Sequence, residues 1–279
     1  MLQKYLACPV SFYFSFVKGL SADDEISESL DASMVGNVFH RTMQELYSGK
    51  KEVTRDYLSS LLKDKDRIDV VVKKHILKEL NDSFEVTGVN LIYEDMVCRY
   101  VKKTIERDIE LIDRCKVSGI RIEGLELKQE WEWKGFLFKG TIDRLDSLLP
   151  GEIRVVDYKT GRVTDKDTDI TPSNAAKVVG KLFGPAEKDR PKIALQLFLY
   201  DMSIKDRFEG CVVVNSVYQT NNLFVSPVRN LPVCGEFEIL MEEKLEKLLY
   251  EIVNPELPFH RTMDTETCKW CDFKLICGR

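Results

Sequence analysis

The sequence lacks any apolar run approaching the ~18–20 residues of a membrane-spanning helix, so a helical membrane protein is not expected. Its first residues, MLQKYLACPV, lack the basic end and long apolar centre of a signal peptide, and the expectation is a cytoplasmic protein. There is no excess of positive charge. The net charge of −5 argues against a chain that is basic all over, while a local basic groove for nucleic acid stays open. No internal repeat and no low-complexity segment is present. What remains is a 279-residue chain of ordinary globular composition, long enough for one large domain or a domain with a sizeable insertion.

The eight cysteines are too unevenly placed for a disulfide framework. Cys98, Cys115, Cys211 and Cys234 are scattered through apolar segments and read as buried free thiols. Cys268, Cys271 and Cys277 form C-x2-C-x5-C, a spacing that lets three thiolates face one metal centre. Such a site is one ligand short. Leu2–Leu20 reads as a helix with an aromatic face, interrupted at Cys8-Pro9. If Pro9 opens a new helix, Cys8 stands at its N-terminal end, where a thiolate is favoured. Cys8 is the candidate fourth ligand, with a further buried thiol as the equal alternative.

Residues 21–33 read as an acidic loop and Met34–Ser48 as a helix with the apolar stripe Val35, Phe39, Met43 and Leu46. His40 lies on the flank of that stripe, with Gly36 one turn earlier leaving room beside the imidazole. Residues 54–115 have a helical pattern broken near Asn81 and Gly88, giving three or four helices. From Gly119 the period becomes that of strands, and Trp131 and Trp133 alternate with polar residues as core aromatics do. Residues 162–190 read as a long connection with a short helix. A helix at Lys192–Met202 puts Gln196 and Tyr200 on one face, and a strand pair, Cys211–Tyr218 with Leu223–Val228, precedes a long amphipathic helix at Glu236–Val253. His75 and His260 read as ordinary histidines.

The stretch Gly135–Gly161 carries most of the chemistry. It reads as two strands about a Pro150-Gly151 turn. Asp143 interrupts an apolar run on the first, and Asp157 and Lys159 share a side of the second. Folding the hairpin puts Asp143 beside Asp157 or Tyr158, with a register uncertain by about one residue. Two carboxylates brought together this way are unfavourable unless a cation sits between them. The bland alternatives are an Asp157–Lys159 surface pair and an Asp143–Arg144 pair. Against them, Ile153, Val155 and Val156 mark a strand buried on both faces, where an acid needs a partner or a metal.

Gly36–His40 (G-x-x-x-H), Gly140–Arg144 (G-T-I-D-R), Val156–Gly161 (V-D-Y-K-T-G) and Gln196–Tyr200 (Q-x-x-x-Y) occur in that order. Together they resemble the RecB-type nucleases of the PD-(D/E)XK superfamily. With Cys8, Cys268, Cys271 and Cys277, the chain resembles the iron–sulfur subgroup known from AddB-type helicase–nuclease subunits and a CRISPR-adaptation nuclease. The resemblance implies an α/β fold, a restriction-endonuclease-like mixed sheet flanked by helices. It divides the chain into N-terminal helices (1–53), a helical insertion or cap (54–117) and a nuclease core with a cysteine tail (118–279). It further implies that His40, Asp143, Asp157 and the Tyr158 carbonyl bind Mg²⁺ or Mn²⁺, and that Lys159 orients the attacking water. By the same resemblance Gln196 and Tyr200 would support the site and contact the nucleic-acid strand. The four cysteines would hold a [4Fe–4S] cluster, with Zn²⁺ as the other occupant. The implied activity is exonuclease or single-strand nuclease in recombinational repair, on single-stranded DNA or duplex ends, beside a helicase subunit or domain. The alternative is an inactive DNA-binding scaffold. The usual S-x-S-like segment before the first helix is absent, which suggests an excised domain or a trimmed start.

Overall fold

The computed structural model describes residues 1–21, 29–80, 86–161, 163, 170–184, 190–220, 222, 229–231 and 235–279. The helices are α1 (Leu2–Ala7), α2 (Pro9–Phe12), α3 (Ala32–Tyr47), α4 (Arg55–Lys63), α5 (Lys65–Glu79), α6 (Val89–Cys115), α7 (Ala175–Phe183), α8 (Lys192–Ile204), α9 (Gly235–Val253), α10 (Thr265–Lys269) and α11 (Lys274–Cys277). The strands are β1 (Glu52–Thr54), β2 (Gly119–Trp133), β3 (Phe136–Ser147), β4 (Glu152–Lys159), β5 (Val212–Gln219) and β6 (Arg229–Leu231). Internal packing divides the chain into two units. One is Met1–Ile26, Asp165–Gln196 and Cys234–Arg279; the other is Ser27–Thr164 and Leu197–Val233.

The second unit holds the sheet, in spatial order β1-β2-β3-β4-β5-β6. Two turns set it. Lys134 and Gly135 join β2 to β3 with φ of 52° and 80°, the pair of positive angles a two-residue type I′ hairpin needs. Pro150 and Gly151 join β3 to β4. Gly151 has φ 75°, and the Glu152 N–H donates to the Leu149 carbonyl at 3.2 Å, as a turn with proline at its second position requires. All neighbours are antiparallel except β4 and β5, which are parallel and so need a long crossover, here residues 160–211. This mixed sheet with its packed helices is the expected restriction-endonuclease-like class.

Helices α3 to α6 share one core with the sheet. Val38, Phe39 and Met43 of α3 are buried with Leu58, Ile76, Val101 and Ile112, and with Val156, Tyr158 and Tyr218 of the strands. The helix starts are capped as their sequences dictate. The carboxylate of Asp31 accepts the Met34 N–H at 2.8 Å, and Thr54 and Asp64 cap α4 and α5 in the same way.

A charged network lies inside this core. Arg144 is fully buried and donates to both carboxylate oxygens of Asp108, at 2.7 and 3.0 Å, while its Nε lies 2.8 Å from Asp146. Arg154 grips Asp146 with two bonds of 2.7 and 2.8 Å. The hydroxyls of Tyr47 and Tyr218 each donate to Asp108 at 2.6 Å. Successive strand residues point to opposite faces, so Arg144 turns away from Asp143 and does not pair with it.

The first unit is built on aromatic packing. Tyr5 and Phe12 are buried against Leu248 of α9, and the Tyr5 hydroxyl donates to Glu251 at 2.8 Å. The expected Leu2–Leu20 helix is three pieces: α1, α2 with Pro9 at its first position, and a π-helical turn, Tyr13–Val17. Pro9 has no N–H to continue α1, so the chain restarts at Cys8. Helix α9 buries Phe237, Met241, Leu245 and Leu248 as its amphipathic pattern requires.

Three expectations need correction or bounding. β1 is an unexpected strand, too short at three residues to show an alternating pattern. β5 pairs with β6 at Arg229–Leu231; the expected partner, Leu223–Val228, lies wholly outside the described residues, as do most of the 21–33 loop and much of 162–190. Of the scattered cysteines, Cys98 is buried, Cys115 and Cys211 are half-buried, and Cys234 lies outside the described residues.

Candidate active site

The hairpin register decides which acids meet. Arg144 pairs with Val156 and Leu145 with Val155, so Asp143 falls level with Asp157 at the end of the ladder. The Tyr158 N–H donates to Asp143 Oδ2 at 2.7 Å. β2 lies on the other side of β3. Its pairs Leu125–Arg144 and Leu127–Ile142 put Glu126 opposite Asp143. Three carboxylates, Glu126, Asp143 and Asp157, therefore lie in a row across three strands. Like charges directly opposed in a sheet are destabilising.

Helix α3 brings the imidazole. His40 Nδ1 is 3.3 Å from Glu126 Oε1 and 3.5 Å from Asp143 Oδ1. Its ring stands edge-on to Tyr158, with centroids 5.7 Å apart. Gly36, one turn earlier, is needed for a related reason. A Cβ there would lie 3.3 Å from Thr160 Oγ1, tight against the residue that follows Lys159. The small residue leaves room for the end of β4 rather than beside the imidazole.

Lys159 Nζ is 2.6 Å from Asp157 Oδ2, and Asp157 is wholly buried, so this is not a surface pair. Among the described residues neither Asp157 oxygen accepts a well-formed hydrogen bond. Burial, then the Asp157 charge, pushes the Asp143 carboxyl up to about 7. Burial also raises Asp157, against the opposing Lys159 ammonium. For His40 burial acts downward, but the hydrogen bond to Glu126 and the charges of Asp143, Glu126 and Asp157 prevail and raise it. Burial is what raises the two acids, and only the His40 shift, and part of that of Asp143, comes from neighbouring negative charge.

Gln196 and Tyr200 share α8, as their spacing required. The Tyr200 ring is 3.8 Å from where a Gly140 Cβ would be, three residues before Asp143; Gln196 is half-buried in the first unit. In that first unit Cys8, Cys268, Cys271 and Cys277 line one cavity with Ser11, Thr262, Arg261, Lys274 and Arg279. Arg279 Nη1 is 3.5 Å from Cys268 Sγ, and Ser11 Oγ is 3.9 Å from Cys271 Sγ. The seven described cysteines are free thiols.

A family model for PD-(D/E)XK nucleases matches residues 1–278, a span that takes in both sets of residues. The chain belongs to the PD-(D/E)XK nuclease superfamily. Similarity to individual proteins is more distant. An uncharacterised protein of Rickettsia typhi is 27% identical over 165 residues, 59% of this chain and 18% of the relative. An uncharacterised protein of Rickettsia conorii is 28% identical over 158 residues, 57% of this chain and 18% of its own length. An ATP-dependent helicase/deoxyribonuclease subunit of Clostridium acetobutylicum is 23% identical over 189 residues, 61% of this chain and 16% of that protein. The chain thus matches less than a fifth of the length of these relatives.

For a PD-(D/E)XK nuclease the donor set is apt. Carboxylates and a backbone carbonyl suit a hard divalent cation, and the buried Asp157 carboxylate, without a well-formed hydrogen bond, fits such a partner. The motifs missed Glu126. Counting outward from the Lys134-Gly135 turn would have found it, because that register sets Glu126 opposite Asp143.

Proposed function

We propose that this chain is a divalent-metal-dependent deoxyribonuclease, acting as an exonuclease or single-strand nuclease in cytoplasmic recombinational repair. The observation that carries the reading is Asp157: a fully buried carboxylate beside a second acid, with, among the described residues, only the Lys159 ammonium, 2.6 Å away, to offset its charge. His40, Asp143, Asp157 and the Tyr158 carbonyl hold Mg²⁺ or Mn²⁺. When bound, the ion lowers the pKa of a water molecule and neutralises charge on the scissile phosphate. The Tyr158 N–H fixes Asp143 Oδ2, leaving Oδ1 on the His40 side. Lys159 orients the attacking water and supports the negative charge that develops on the phosphate. Gln196 and Tyr200 steady the strand being cut.

The four cysteines hold a [4Fe–4S] cluster that clamps the ends of the first unit. Thiolate donors suit it, and Arg261, Lys274 and Arg279 around the cavity suit its negative charge. DNA is the substrate, and a helicase subunit or domain is the expected partner. The homologous helicase/deoxyribonuclease protein supports both statements.

The test is cleavage of end-labelled single- and double-stranded DNA with Mn²⁺ or Mg²⁺ titrated in. Wild-type protein should degrade DNA only with the metal. Lys159→Ala should lower the rate by at least 100-fold with DNA binding retained, and unchanged cleavage defeats the assignment.

A further inference from the structure

We infer that Gln219, a residue outside every sequence motif, positions Lys159, and that its side-chain oxygen is the acceptor that holds the ammonium during cleavage. The inference rests on the nuclease reading of the same site and adds a residue to it. β5 runs parallel to β4, with Asp157 level with Val217, Tyr158 with Tyr218 and Lys159 with Gln219. Residues level with one another on adjacent strands project from the same face. The Tyr158 and Tyr218 rings do so, meeting edge-on with centroids 5.7 Å apart. Gln219 therefore stands beside Lys159 on the opposite face, the one that carries Asp157. The backbone fixes this register to the end of the ladder, where the Thr220 N–H donates to the Lys159 carbonyl at 2.9 Å. Neighbouring strands lie ~4.8 Å apart, a gap that a lysine and a glutamine side chain span easily.

As a purely structural residue this glutamine is a poor choice. It is only 7% exposed, and its Oε1 is buried without a well-formed hydrogen bond. A buried acceptor left without a donor costs ~1–3 kcal/mol, which an apolar side chain of similar shape avoids. Such an atom calls for an explanation outside the resting fold. Lys159 supplies one. Its ammonium now sits 2.6 Å from Asp157 Oδ2. Asp157 is a proposed ligand of the divalent ion, and an ammonium displaced from that carboxylate needs another acceptor. Gln219 Oε1 can take one of its three N–H donors and leave the others for water and phosphate. The carboxamide is neutral, so it holds the ammonium without competing with Asp143 and Asp157 for a cation.

The experiment compares wild type with Gln219→Met, Lys159→Ala and the double variant, all as the whole chain. Methionine keeps the length of glutamine and removes the acceptor. The readouts are melting temperature in chelator, affinity for single-stranded DNA in Ca²⁺, and cleavage rate at saturating DNA in Mg²⁺. A positioning role predicts that Gln219→Met melts no lower than wild type, binds DNA within twofold of it, and cleaves at least tenfold more slowly. In the Lys159→Ala background the same change should cost no more than twofold, because Gln219 acts through the ammonium. Cleavage by Gln219→Met within twofold of the wild-type rate overturns the inference. A lower melting temperature accompanying lost cleavage also overturns it, assigning Gln219 to the fold. So does a tenfold loss in both backgrounds, since Gln219 then acts without Lys159. Wild type that binds DNA and never cleaves it is a separate result, which removes the nuclease reading and this inference with it.

Discussion

At the scale of single residues, the acids of the site weaken the fold they sit in. Asp143 holds its proton up to about pH 7, whereas an unfolded aspartate releases it near ~3.9. A carboxyl with a raised native pKa binds its proton more tightly when folded. Its contribution to stability is present at low pH and is lost as pH rises from about 4 to about 7. In chelator, Asp157→Asn should therefore melt at a higher temperature than wild type, because it removes the charge that opposes Asp143. The gap should widen between pH 5 and pH 8, read by thermal denaturation at the two values. Mn²⁺ should raise the melting temperature of wild type and not of the variant.

Sequence reading at this scale reached residues whose positions follow from spacing along one element. Asp157 and Lys159 lie two apart on β4, and His40 lies four after Gly36 on α3. Glu126 escaped it. Its place follows from the register of the Lys134-Gly135 hairpin, which sets it opposite Asp143, and a motif read along one element does not reach across to it.

At the scale of elements, the charges that support the sheet are of a different kind. Arg144 and Asp108 are both fully buried, and they tie β3 to α6, with Tyr47 of α3 and Tyr218 of β5 bonded to the same carboxylate. Removing one partner leaves an uncompensated charge in the core, which costs ~3–5 kcal/mol. Arg144→Met should lower unfolding stability by about that amount in urea denaturation. Arg99 and Asp95 make a comparable contact at 2.8 Å, but both are more than half exposed. Arg99→Ala should change stability by no more than about 0.5 kcal/mol. Equal losses in the two variants would contradict the assignment of the buried network.

Most elements were legible because long periodic segments announce themselves: α3, α6, α9 and the β3–β4 hairpin fall close to their expected ranges. The Arg144 network was not. A strand reading puts Arg144 on the face opposite Asp143 but does not name Asp108, 36 residues earlier, as the group it meets.

At the scale of the whole molecule, the chain holds two clusters of reactive side chains, one in each unit. The acids lie in the sheet unit and the cysteines in the aromatic unit, where residue 8 reaches residues 268–277. Among the described residues no helix is long and apolar enough to cross a membrane. Protein purified without oxygen should be brown and contain iron and sulfide. Cys8→Ser should lose the colour and melt earlier, whereas a colourless, zinc-containing wild type would replace the cluster with Zn²⁺.

The central claim is that buried acids at the end of β4 are kept for catalysis and not for stability. Its most direct measurement is Mn²⁺-dependent release of label from single-stranded DNA by Asp157→Asn beside wild type, at a temperature where both are folded. The account predicts active wild type and a variant that is at least as stable but slower by 100-fold or more. Cleavage by the variant at the wild-type rate would contradict it.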